Sequence, residues 1–121
     1  MKPLSPEMIE KVVERLSALA DANRIRLLMR LKESPANVST LTEALEIAQA
    51  SVSKHLAVLR QVGLVEVERI GTQAVYRVRD ESVFALCDIV CGGVMRFIQQ
   101  EHQALTGPAK RRGSRAAWRS Y

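Results

Sequence analysis

Residues 48–80 read "AQASVSKHLAVLRQVGLVEVERIGTQAVYRVRD", and a change of period inside this stretch decides the fold. Val52, Leu56, Leu59 and Val62 recur every three or four residues, the spacing of one helix face. Gly63 follows, the residue type that tolerates a left-handed stop just past a helix end. From there the period drops to two: Val65 and Val67 interleave with Glu66 and Glu68. The alternation resumes after Gly71-Thr72 with Val75, Tyr76, Arg77 and Val78, so two strands joined at Gly71 are expected to form a β-hairpin.

Upstream, the helical period dominates. Pro6 stands near a helix start, and Ile9, Val12, Val13, Leu16, Leu19 and Ala20 give residues 6–20 one apolar face. Asp21 offers a cap for a second helix carrying Ile25, Leu27, Leu28, Met29 and Leu31. "KESPAN" (32–37) breaks it, because Pro35 forces Ser34 out of helical geometry. Ser39 or Thr40 is expected to cap a short third helix through Leu45, with Leu41 and Ala44 inward. Downstream, Asp80 is placed to cap a last helix over roughly residues 81–105, ended by Gly107-Pro108. The expected fold is mainly α (α+β): a winged helix-turn-helix of five helices with a two-stranded hairpin wing. Residues 1–106 are expected to form that domain, and residues 107–121 a basic, disordered tail.

Composition narrows the class. A chain of 121 residues makes one domain, and its scarcity of aromatics (4%) suits helices packed on aliphatic side chains. No apolar run is expected to reach the ~18 residues of a membrane span. The start lacks a signal-peptide core, and two closely spaced cysteines do not make a secreted disulfide framework. A soluble, cytoplasmic protein with no membrane partner is expected. The net charge of +5 is local rather than spread. Lys110, Arg111, Arg112, Arg115 and Arg119 crowd the tail, while all 13 acidic residues precede it. Within residues 48–79, Lys54, Arg60, Arg69, Arg77 and Arg79 face only Glu66 and Glu68. That is the distribution of a nucleic-acid face plus a basic tail.

The helix of the opening stretch carries the reading chemistry. Its first turn presents free backbone N–H groups and a positive dipole end to phosphate. Gln49, Ser51 and Ser53 can bond base edges, and Lys54 either guanine or phosphate. Arg69, Thr72 and Gln73 at the hairpin tip are placed to reach the flanking backbone or minor groove. The plainer alternative is an ordinary helix with a polar end beside a solvated hairpin; the ordered run of elements favours DNA. A protein-interaction module would need apolar anchors where Gln49, Ser51 and Ser53 stand. Nothing supports an enzyme: there is no nucleophile–base pair, metal triad or glycine-rich phosphate loop.

"LSALADANRIRLLMRL" (16–31) followed by "ASVSKHLAVLRQVGLVEVERIGTQAVYRV" (50–78) resembles the ArsR/SmtB family of bacterial repressors over roughly residues 12–105. The resemblance implies a homodimer, paired through its first and last helices, that binds a palindromic operator until an inducer binds. By position Gln49, Ser51, Ser53, Lys54 and His55 match the family's recognition helix, and Arg69 to Arg77, with Thr72 and Gln73, its wing. Ala48 departs from the family's usual serine cap, which leaves that helix start looser or otherwise capped. Ala22-Asn23 replaces a frequent Pro-Thr. His55 reads as a hydrogen-bonded packing residue or phosphate contact rather than a metal ligand, since no second ligand sits one turn away.

The family senses through alternative sites, and most are missing here. No thiol lies in "VSTLTEAL" (38–45), and the last helix has a single histidine, His102, so a zinc site of the family's type is not expected. Cys87 and Cys91 remain, four residues apart on one helix face that continues through Val94 and Ile98. Two-fold symmetry would bring up to four thiols together. Thiolates suit soft ions such as As(III) or Cu(I), so a thiolate-bound soft metal or metalloid is one expectation. Thiol redox or reactive-sulfur sensing is another. An intrahelix disulfide is poorly shaped for it, with Cβ atoms ~5–6 Å apart against the ~3.5–4.5 Å required. A third is that both are buried apolar residues, with no cofactor and no cysteine sensor. Gly92-Gly93 is expected to mark a close helix approach or a bend.

Overall fold

A computed structural model describes residues 2–106. Its elements are α1 (Pro6–Leu19), α2 (Ala22–Glu33), α3 (Val38–Leu45), α4 (Gln49–Gln61), β1 (Val65–Ile70), β2 (Gln73–Val78) and α5 (Ser82–Thr106). This is a winged helix-turn-helix of five helices and a two-stranded antiparallel hairpin. The expected tail, residues 107–121, lies outside the described residues. The chain divides after Glu81 into two units, the winged helix and α5.

Local chemistry sets each boundary in the first unit. Ser5 caps α1 by accepting from the Met8 amide at 3.1 Å, with Pro6 supplying its fixed φ at the first helical position. The Asp21 carboxylate caps α2, accepting from the amides of Asn23 (2.9 Å) and Arg24 (3.1 Å). Pro35 holds Ser34 extended, at φ −169° and ψ 153°, so α2 stops there. The cap of α3 differs from expectation. Helical geometry is available again from Val38, so Asn37 takes the position, its Oδ1 accepting from the Thr40 amide at 2.8 Å. Ser39 and Thr40 become first-turn residues instead. Glu46, left-handed at φ 56°, opens the turn to α4.

The core is aliphatic and follows the helical period. Leu27, Leu28 and Leu31 of α2, Leu41 and Leu45 of α3, and Val52, Leu56 and Leu59 of α4 are buried together with Leu64 and Val65. Each such side chain contributes about 1.5–3 kcal/mol relative to exposure. Gly63 stops α4 at φ +77°, and a Cβ there would meet the Arg15 guanidinium at 3.2 Å. The hairpin register runs from Val65↔Val78 to Ile70↔Gln73, leaving Gly71-Thr72 as a two-residue turn with Gly71 at φ +63°. One pairing was not legible in the sequence. Extended by Pro35, the α2–α3 connection lays Ala36 beside Tyr76, exchanging hydrogen bonds of 3.0 and 2.8 Å. The wing is thereby tied to the helices.

Within the second unit, α5 is one continuous helix of 25 residues. Gly92-Gly93 produces no break in it; the Arg96 guanidinium lies over these glycines, 3.4 Å from where a Gly92 Cβ would stand. Val83 is buried, while Ile89, Val90, Val94, Met95, Phe97, Ile98 and Leu105 are exposed. An 18-residue window reaches a mean hydropathy of 1.5, so by length and composition alone α5 is long and apolar enough to cross a membrane. This corrects the expectation that no segment reaches that length. Asp88 and Arg96 interrupt the run without lowering its mean far enough.

Candidate nucleic-acid interface

The burial of Val52, Leu56 and Leu59 fixes how α4 is rotated, and with it which residues face outward. Gln49, Ser53 and Lys54 are exposed and Ser51 is half-buried, all within the first two turns. Ala48, extended at φ −60° and ψ 142°, makes no side-chain capping bond, as its side chain requires. The first-turn amides therefore have no side-chain acceptor from the cap position, and an oxyanion can take that place.

The wing supplies the second group. Arg69, Thr72 and Gln73 are exposed at its tip. The Gln73 Oε1 accepts from the Asn37 Nδ2 at 3.1 Å, so one asparagine both caps α3 and steadies the wing. Sequence reading missed Asn37; its place just after Pro35 was the available signal. Arg77 is held differently. It faces Glu66 across the hairpin, and its guanidinium bonds Glu68 at 2.6 Å, so its charge is neutralised within the wing.

His55 turns inward and joins α4 to α2. Its Nδ1 lies 3.3 Å from the Arg24 Nη1, and its Nε2 lies 4.0 Å from the Asp21 Oδ1. The Asp21 carboxyl titrates below its ordinary range, chiefly because it accepts the Arg24 backbone N–H. Partial burial opposes that shift, while the neighbouring His55 and Arg24 side chains and the Asn23 amide reinforce it. Among the described residues no group of three or more His, Cys, Asp or Glu is gathered to hold a metal. Cys87, half-buried, and Cys91, exposed, are free thiols on α5. One chain thus offers two thiols, too few for a three-thiolate site.

Residues 21–67, from the α2 cap through the recognition segment into β1, match a profile described as bacterial regulatory protein, arsR family. The regulator NmtR of Mycobacterium tuberculosis is 38% identical over 86 residues, 71% of this chain and 72% of its own length. The chain belongs to the ArsR family. A second relative, the arsenical resistance operon repressor of Bacillus subtilis, is 32% identical over 71% of this chain and 83% of its own. Among solved structures, the homodimeric winged helix-turn-helix domain Mb0332 of Mycobacterium bovis superposes with a TM-score of 0.67 at 28% identity. That similarity covers 76% of this chain and 91% of the other. This ArsR-family protein is a DNA-binding transcriptional regulator, from a family that regulates transcription rather than catalysing reactions.

Proposed function

We propose that the protein is a homodimeric repressor that releases its operator when a thiol-reactive inducer engages Cys87 and Cys91. The observation that carries this reading is their place on α5. They share a face with Val94 and Ile98, and that face stays exposed in the single chain. An exposed apolar stripe of this length calls for a partner. α1 has one too, with Ile9, Val12, Val13 and Leu16 all at least 38% exposed. A second copy satisfies both stripes, and the Mycobacterium bovis relative is homodimeric. A bilayer fits α5 less well, because Asp88 and Arg96 would each cost about 2.5–3.5 kcal/mol near its centre. The working place is then the cytoplasm, with the DNA.

Two subunits contribute four thiols, enough for a soft ion such as As(III) or Cu(I) to take sulfur ligands from both. The Bacillus subtilis relative is named for arsenical resistance, which supports the metalloid reading. Operator contact falls to Gln49, Ser51, Ser53 and Lys54 in the major groove and to Arg69, Thr72 and Gln73 beside it. His55 and Arg77 bond within the protein and support these residues instead. Residues 1–106 carry the regulator, and the basic residues 107–121 add salt-sensitive, sequence-independent affinity.

Gel-shift titration on the DNA upstream of its own gene tests the reading. Addition of As(III), Cu(I), polysulfide or peroxide should release the wild type, while Cys87→Ser and Cys91→Ser hold on. If both variants still release with every agent, the cysteines are core residues and the inducer acts elsewhere. A complex that never forms on any promoter would favour the protein-interaction alternative.

A further inference from the structure

Two arginines bridge α1 and α4. Between them runs an open groove of about 400 Å³, lined by Val13, Ser17, Ala18, Val58, Gln61 and Val62. Arg15 of α1 crosses at one end, its Nη2 donating to the Val62 carbonyl just after α4 and its Nη1 to Asp80, each at 2.6 Å. Arg24 closes the other end. Its Nε donates to the Ala18 carbonyl at 2.6 Å, its Nη2 to the Ser17 carbonyl at 3.2 Å, and its Nη1 meets the His55 Nδ1 at 3.3 Å. A guanidinium has only donors, so Nδ1 must be the acceptor and the ring proton sits on Nε2, facing Asp21.

We infer that Arg24 and His55 are positioning residues for operator recognition: their bond sets the recognition helix α4 against the last turn of α1. The inference rests on reading α4 as the DNA-facing helix. Arg24 spends its other two donor groups on the carbonyls that end α1, so any displacement of that turn moves the donor that His55 accepts. His55 lies one residue beyond Lys54 and two beyond Ser53, on the inner flank of the same turns. Its side chain is only 18% exposed, which removes it from direct phosphate contact and gives it a mechanical role. Across a groove that packing leaves open, a fixed hydrogen bond is what holds orientation. α1 also carries the exposed stripe assigned to the partner subunit, so the same bond links the dimer interface to the reading head.

The test uses the full chain and the DNA upstream of its own gene, with affinity followed by fluorescence anisotropy over a range of salt concentrations. His55→Leu should weaken binding about tenfold or more, by orphaning a charged donor, while still melting cooperatively. Its slope of log affinity against log salt should match the wild type, because no phosphate contact is lost. His55→Asn, whose Oδ1 stands close to where Nδ1 does, should restore affinity to within about threefold. His55→Leu added to Arg24→Gln should cost little more than Arg24→Gln alone, since the bond that His55 accepts is already gone. Lys54→Ala, the contact control, should lose affinity and flatten the slope by about 0.9.

A slope flattened by His55→Leu would make His55 a phosphate ligand and overturn the inference. So would failure of His55→Asn to rescue, or wild-type affinity in His55→Leu. If Lys54→Ala and Gln49→Ala also leave binding intact, the reading of α4 itself falls, and the inference falls with it.

Discussion

Asp21 shows how much one side chain carries. It ends the turn after α1, caps α2 and faces both Arg24 and His55. Its carboxyl titrates below the ordinary carboxylate range when folded, so its charge stabilises the native state at neutral pH. By linkage, that contribution is complete above the unfolded value of about 4 and is lost as pH falls through the lowered folded value. Asp21→Asn keeps a capping oxygen but removes the charge. Its melting temperature should lie below the wild type at neutral pH, and the two should converge in acid below the carboxylate range. A gap that persisted there would show that cap geometry, not charge, is what Asp21 supplies. The capping role was legible from the sequence because it is local. The contact of Arg24 with His55 was not, since the two stand 31 residues apart.

At the scale of the element, α4 combines a strong core face with a weak start. Val52, Leu56 and Leu59 anchor it, whereas Ala48 supplies no cap. Ala48→Ser should therefore stabilise the protein by about 1 kcal/mol, read as a raised urea midpoint with an unchanged slope. The added hydroxyl would accept an amide that the reading assigns to phosphate, so operator affinity should not rise with stability. If it rises in step, the first-turn amides are not part of the DNA contact. Helices and hairpin were legible because period and glycine placement are properties of short segments. The cap of α3 was misplaced by two or three residues, because Asn37, Ser39 and Thr40 all have capping chemistry. What chose among them was the direction imposed by Pro35 and the pairing of Ala36 with Tyr76.

On the scale of the whole molecule, the apolar surface left open is the dominant fact. Val94 and Ile98 are 51% and 56% exposed on α5, beside the two cysteines. In the proposed dimer these side chains are buried against a second copy, and a charge among them would be unpaired. Val94→Glu should convert the protein to a monomer by light scattering at micromolar concentration. It should also weaken operator binding by orders of magnitude, because a palindrome is read by two linked heads. A variant that remained dimeric would move the interface off this face. The wing and the helix-turn-helix should stay folded in the monomer, their core being complete within one chain.

The sequence by itself determined the period of each segment, and through it the order of helices, turn and hairpin and the family to which the chain belongs. It also marked Gln49 to Lys54 and the hairpin tip as polar ends facing outward. Only the tertiary structure decided which polar side chains around them bond within the protein. Arg77 is drawn to Glu68, His55 turns to Arg24, and Gln73 is steadied by Asn37. The physical reason is range. Propensity and amphipathic period act over a few residues, whereas a hydrogen bond between α2 and α4 exists only once the core between them has closed.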